Sequence, residues 1–125
     1  MTVVERSVRR VLIVDDAEDL RMLLRFRMER AEQLEVVGEA ADGLEAVEQA
    51  RLLQPDLVIL DVAMPHMDGL QALPLIREAV PEVRVIMLSA FNEDTMAESA
   101  RQAGADHYVV KGSSLSELVE LAESL

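Results

Sequence analysis

Cysteine is absent from this chain of 125 residues, and lysine occurs once. The missing cysteines exclude disulfides, thiolate nucleophiles and sulfur-ligated metal sites, which leaves hard oxygen donors as the metal shell. Positive charge is scarce as well. The 12 basic and 24 acidic residues give a net charge of −12 and a pI near 4.5, which argues against a nucleic-acid-binding surface within these residues. Contact with DNA would have to be made outside them. No apolar run approaches the roughly 18 residues of a membrane span, and Met1 to Arg10 lack the hydrophobic core of a signal peptide, so no membrane contact and a cytoplasmic location are expected. No glycine-rich phosphate loop of the P-loop or dinucleotide type occurs, so nucleotide binding has no support.

Apolar residues, by contrast, make up 50% of the chain, ample for the core of one domain that buries roughly two thirds of its unfolded surface. Four short apolar runs each stop at a polar residue. Val11-Leu12-Ile13-Val14 leads into Asp15-Asp16, Leu57-Val58-Ile59-Leu60 into Asp61, Val85-Ile86-Met87-Leu88 into Ser89, and Tyr108-Val109-Val110 into Lys111. Such runs, without polar alternation, read as strands buried on both faces of a parallel sheet. Ligands of these sheets bind at the carboxyl ends of the strands. Three carboxylates, a hydroxyl and an ammonium would therefore meet in one crevice. All other basic residues being arginine, a generic surface role does not account for Lys111.

Residues 1–8 read as a polar N-terminal arm and residues 9–125 as one domain, because no low-complexity linker interrupts the alternating strand and helix signals. Leu20, Leu23, Leu24, Met28 and Ala31 recur at helical spacing and predict a helix from Ala17 to Glu32, with Leu20, Leu23, Leu24 and Met28 as its core stripe. A strand follows from Leu34 to Ala40. Asp42 with Glu45 is a capping-box signal for a helix that carries Leu44, Val47 and Ala50 and ends before Pro55. The turn-rich Met64-Pro65-His66-Met67-Asp68-Gly69 leads into a helix reaching Ala79, in which Pro74 predicts a bend or a late start. A strand from Arg84 to Ser89, a helix from Asp94 to Ala103 stopped by Gly104, and a strand from His107 to Val110 come next. Ser114 and Glu117 open the last helix, with Leu115, Leu118, Val119 and Ala122 as its buried stripe. Five βα units predict an α/β three-layer sandwich with right-handed crossovers.

In Asp15-Asp16, the run Asp61-Val62-Ala63-Met64-Pro65-His66-Met67-Asp68-Gly69, Ser89-Ala90, and Tyr108 three residues before Lys111, the chain resembles the CheY-like receiver domain of bacterial two-component response regulators. The resemblance covers essentially its whole length. Val36-Val37-Gly38-Glu39-Ala40-Ala41-Asp42-Gly43 looks more like the NarL/FixJ subfamily than the OmpR one. The resemblance implies a doubly wound, flavodoxin-like (βα)5 fold whose five parallel strands run in the order 2-1-3-4-5. It implies Asp61 as phosphoacceptor, Mg²⁺ held by Asp16, Asp61 and the main-chain carbonyl of Ala63, with Asp15 acting through water, and Ser89, Lys111 and Tyr108 as catalytic and switch residues. Ala63 and Phe91, two residues after the acceptor and the switch hydroxyl, would line the approach of water and tune the lifetime of the phosphorylated state.

A sensor histidine kinase is the implied partner, and the resemblance places it beside the loop at Gly112 and Ser113. Met22 and Phe26 share the face of the first helix opposite its core stripe, flanked by Arg21, Arg25 and Arg30, and are the expected docking pair. The last helix carries Glu117, Glu120 and Glu123 and no base, so it lacks the Lys/Arg-rich dimer face of OmpR-like receivers, and a homodimer would be weak or use another surface. Two positions depart from the family: Gly112 stands where many receivers place proline, and Arg27 where they place an apolar residue. The implied function is a phosphoaccepting signalling domain rather than an enzyme, controlling transcription through a domain not in this chain. The alternative is a stand-alone receiver or a phosphorylation-independent interaction module.

Elementary chemistry points the same way. A carboxylate attacking a phosphoryl group meets like-charge repulsion, which a divalent cation relieves. Mg²⁺ suits a few carboxylate oxygens and retained waters. Lys111 can neutralise an oxygen facing away from the metal, and Ser89 can donate to another. Haloacid-dehalogenase-like phosphatases also use a strand-end aspartate but need a second one two residues later; here that position is Ala63, so hydrolysis of an external phosphoester is not expected. His66 and His107 have no ligand-spaced companions and read as surface or packing residues.

Overall fold

The computed structural model describes residues 8–90, 94–112 and 114–125, with the backbone alone at 94 and 95. Phe91, Ser113 and most of the expected N-terminal arm lie outside the described residues. Strands β1 (Arg9–Val14), β2 (Leu34–Ala40), β3 (Leu57–Asp61), β4 (Arg84–Ser89) and β5 (His107–Val110) form one parallel sheet in the order β2-β1-β3-β4-β5. Helices α1 (Glu18–Glu29), α2 (Gly43–Leu53), α3 (Gly69–Ala79), α4 (Asp94–Gln102) and α5 (Leu115–Ser124) alternate with them. None of these helices is long and apolar enough to cross a membrane.

Successive side chains of a strand point to opposite faces, and here both faces are covered. Val11, Ile13, Leu57, Ile59, Ile86 and Leu88 pack against Leu24 and Met28 of α1 and Leu118 and Ala122 of α5. Leu12, Val14, Val58, Leu60, Val85 and Met87 pack on the other side against Ala46 and Ala50 of α2, Ala72, Leu73 and Ile76 of α3, and Ala100 of α4. This double burial is why the strands show no polar alternation. One irregularity interrupts the pairing of β1 with β2: Val11 faces Val36 but Leu12 faces Gly38, so Val37 is an extra residue in the edge strand.

Local chemistry sets the helix ends. Asp42 caps α2 by accepting from the Glu45 N–H at 2.8 Å, and Gln54 closes it in the left-handed conformation at φ +50°. Asp68 and Gln71 form a reciprocal capping box at α3. Ser114 caps α5.

Several expectations need correction. Helix α1 ends at Glu29 rather than Glu32, and Leu23 is 43% exposed, because the buried stripe of α1 is narrower than the apolar periodicity suggests. Leu44 is also exposed, α2 burying alanines and Gly43 instead. Helix α3 starts at Gly69, not late, and keeps Pro74 inside it. Pro74 lies on the exposed side, where the carbonyl that loses its partner can turn to water.

The return of the chain from β3 to α3 is exceptionally tight. Gly69 donates to the Val62 carbonyl at 2.7 Å, and a Cβ at this position would lie 2.1 Å from the main-chain oxygen of Asp61. Only glycine fits. Gly69→Ala should therefore destabilise the protein by roughly 1–3 kcal/mol, the cost of an overpacked core, read as a lower midpoint in urea unfolding. An unchanged midpoint would show that the loop has slack the structure does not suggest.

Candidate functional site

Strands β1 and β3 are neighbours in register, Val14 beside Leu60, so the residues that follow, Asp15 and Asp61, emerge side by side. Asp15, Asp16 and Asp61 bring carboxylate oxygens within 4.8 Å of one another. Asp15 is 0% and Asp61 2% exposed, while Asp16 faces solvent. Lys111 reaches over from the end of β5. Its Nζ lies 2.9 Å from Asp15 Oδ2 and 3.2 Å from Asp61 Oδ2. Its main-chain N–H donates to the Ser89 carbonyl at 2.6 Å, which ties the lysine to the end of β4, where Ser89 is buried. Gly112 follows at φ +97°, a conformation closed to proline, so this loop takes a path the usual family residue could not follow.

The charges do not balance. Three carboxylates against one ammonium leave a formal excess of two negative charges. Burial, with help from the Asp15 charge, pushes the Asp61 carboxyl up to about 6, against the opposing pull of Lys111 and a hydrogen bond from the Ala63 main chain. Burial alone would lower the Lys111 ammonium, but its contacts with Asp15 and Asp61 outweigh that and hold it above the ordinary lysine value. Asp15 Oδ1 accepts from the Ala17 N–H at 2.8 Å, whereas the buried Oδ2 has the Lys111 ammonium beside it. Three clustered hard oxygen donors and a twofold negative excess suit a small divalent cation such as Mg²⁺.

The remaining expected residues take up several positions. Ala63 follows Asp61 at an exposed position of the β3–α3 loop. Tyr108 sits on β5 beside Met87, partly buried against the core that α2, α3 and α4 cover. His66, at φ +67°, is paired through Nδ1 with Asp42 Oδ2 at 2.9 Å, and Gly43 N–H donates to the Met67 carbonyl at 3.0 Å. The loop below Asp61 is thereby moored to the start of α2. The α2 N-terminal hydrogen bond from Glu45, then His66, hold the Asp42 carboxyl below its usual value.

Met22 and Phe26 are 63% and 58% exposed on α1, and the Arg30 guanidinium lies over the Phe26 ring at 5.6 Å from its centroid. Arg21 and Arg25 do not flank them as expected. Arg25 pairs with Glu29 at 2.8 Å and Glu39 at 2.6 Å, and Arg21 turns toward the acidic site, to the Asp15 carbonyl and Glu39. Sequence reasoning missed this pair of contacts, because an ion pair between a helix and a strand 18 residues away leaves no periodic signal.

Comparison with known proteins is consistent with this arrangement. A family model described as the response regulator receiver domain matches residues 11–123. The response regulator protein VraR of Staphylococcus epidermidis is 38% identical over 111 residues, covering 89% of this chain and 53% of VraR; the chain thus spans about half the length of the curated relatives it matches. The signal receiver domain of NarL from Mycobacterium tuberculosis is 32% identical, with a TM-score of 0.89 over 94% of this chain and 95% of that one. A DNA-binding LuxR-family response regulator from Staphylococcus aureus is 30% identical, with a TM-score of 0.87 over 94% of this chain and 98% of that one.

The raised Asp61 carboxyl carries a thermodynamic consequence. Its folded-state value, about 6, lies above the value of an unfolded aspartate, so the folded protein binds that proton more tightly and ionised Asp61 costs stability above the window from about 4 to 6. In chelator at pH 7, Asp61→Asn should be about 1–3 kcal/mol more stable than wild type, and the gap should close by about pH 4. Chemical denaturation across this range measures it. A variant less stable than wild type at pH 7 would contradict the burial argument.

Proposed function

The chain belongs to the response regulator receiver domain family, and we propose that it works as a phosphoacceptor switch with Asp61 as the nucleophile. The observation that carries this reading is the buried, lysine-bridged Asp61 among two further carboxylates. An Asp61 oxygen attacks phosphorus, the bond from phosphorus to the donor nitrogen or oxygen breaks, and the leaving group keeps its electron pair. Asp16, Asp61 and the Ala63 carbonyl would hold Mg²⁺, with Asp15 acting through water. The cation, when bound, supplies charge neutralisation for the incoming phosphoryl group.

The protein's own groups do the rest. Lys111, released from Asp61 as its carboxylate becomes an acyl phosphate, can follow the new dianion while keeping its contact with Asp15. Ser89, anchored to the Lys111 main chain, donates to a further phosphoryl oxygen and draws the end of β4 inward. Tyr108 then shifts, converting a charge event into a surface change. Ala63 offers no side chain able to orient an attacking water, which supports slow loss of the phosphoryl group. The donor is a sensor histidine kinase that docks on Met22 and Phe26 of α1, and the output is transcription through a DNA-binding domain outside this chain, as the LuxR-family relative suggests.

Incubation with acetyl phosphate and Mg²⁺ should add one phosphoryl group, detected by intact mass, and Asp61→Asn or chelator should abolish the gain. Modification persisting in Asp61→Asn would remove Asp61 from its role. In the same assay Ser89→Ala should accept phosphate yet show smaller NMR shifts over residues 94–110 than wild type; shifts of equal size would exclude Ser89 from the switch.

The docking surface makes a separate expectation. Phe26→Ala should slow transfer from the cognate phosphorylated kinase by about tenfold, roughly 1.4 kcal/mol of lost contact, and leave labelling by acetyl phosphate unchanged. Equal rates from the kinase would leave Met22 and Phe26 as ordinary surface residues.

A further inference from the structure

Arg21 plays no part in the chemistry above, yet it grips the acidic loop from behind. Its Nη1 donates to the main-chain carbonyl of Asp15 at 2.6 Å and its Nε to Glu39 Oε1 at 3.1 Å, and its side chain is 16% exposed. Glu39 lies on β2 opposite Ile13 of β1, two residues before Asp15. Its second oxygen accepts from Arg25 Nη1 at 2.6 Å, and Arg25 in turn holds Glu29. The Asp15 backbone is therefore fastened on both sides, its N–H to the Ala40 carbonyl at 3.0 Å and its C=O to Arg21. That carbonyl belongs to the peptide joining Asp15 to Asp16. Its orientation sets the plane from which the Asp16 side chain departs, because the peptide unit is rigid.

We propose that Arg21 is a positioning residue for the cation site: anchored by Glu39, it holds the Asp15–Asp16 peptide so that both carboxylates stay on Asp61. This rests on reading the three carboxylates as a divalent-cation site. Two effects of Arg21 oppose each other. Its positive charge repels a cation, and its two hydrogen bonds preorganise the ligands. Glu39 offsets the charge at close range, so the geometric effect is the larger. A guanidinium can serve two acceptors in a fixed fork, whereas a lysine ammonium keeps the charge and loses the fork. The two effects therefore predict opposite results for substitutions at this position.

Mn²⁺ binding to the full chain, followed by the EPR signal of the free ion, separates them. Arg21→Lys, Arg21→Gln and Glu39→Gln should each weaken binding by roughly tenfold, the lower end of what removing a residue that supports metal ligands costs. Phosphorylation by acetyl phosphate should then need about tenfold more Mg²⁺ for half its maximal rate, while the rate at saturating Mg²⁺ stays close to wild type. Arg21→Lys binding like wild type, or Arg21→Gln binding more tightly, would mean that charge alone matters and would overturn the proposal. A lowered unfolding midpoint with unchanged Mn²⁺ affinity would reduce Arg21 to a structural role and overturn it equally. Wild type that binds no Mn²⁺, or Asp16→Asn that binds it as well as wild type, would overturn the cation site itself and the proposal with it.

Discussion

Like charges cannot be collected at one edge of a sheet without a counter-charge, and the ammonium of Lys111, shared between Asp15 and Asp61, is what permits the collection here. Two carboxylates about 4 Å apart repel by roughly 4 kcal/mol at the effective dielectric of a protein surface, and burial of Asp15 and Asp61 adds a desolvation cost. One cation placed between them offsets much of both. It does not offset all, and the remaining negative excess is the chemical meaning of the site. Complete neutralisation would leave nothing for a divalent cation to offset, whereas the excess here is of the sign that draws one. The strand order β2-β1-β3-β4-β5 makes the compromise available, because it sets the ends of β1 and β3 side by side and leaves β5, which the lysine follows, two strands from β3 across β4.

Rigidity elsewhere keeps the compromise in place. The sheet is clothed on both faces by apolar contacts, so its carboxyl edge is a fixed platform, and the loops that carry polar groups are moored to it individually. Gly69 presses on the Asp61 carbonyl, Gly43 and Asp42 hold the loop that follows Asp61, and Arg21 holds the loop that follows β1. Two departures from ordinary preference lie at this edge: His66 in the left-handed region and the buried Asp15 carboxylate held against the Lys111 ammonium. Such departures are expected where function rather than stability has chosen the conformation.

The fold was largely legible because its strongest signals are short-range. Apolar runs such as Leu57 to Leu60 and caps such as Asp42 and Ser114 announce themselves within a few residues, and β1, β3, β4 and β5 each contain one of those runs. Leu23 escaped correct placement because periodicity reports the direction of a helix face and not its width. The late start that Pro74 suggested does not occur, because the cost of a proline inside a helix depends on whether the carbonyl behind it meets solvent, which only the packed structure decides. Of the site, Asp15, Asp16, Asp61 and Lys111 were readable as strand-end residues, and the structure brings them together. Arg21 and Glu39 were not, since their meeting depends on how α1 lies across β2, a three-dimensional fact with no echo in spacing.

The solitude of Lys111 has a practical side. Because no other lysine exists in the chain, isotopic labelling of lysine alone places a single reporter in the protein, and it stands in contact with Asp15 and Asp61. One ε-ammonium resonance, free of overlap, would follow ion binding, proton uptake and phosphorylation at this edge as separate chemical-shift changes, a spectroscopic window that receivers with many lysines would not provide.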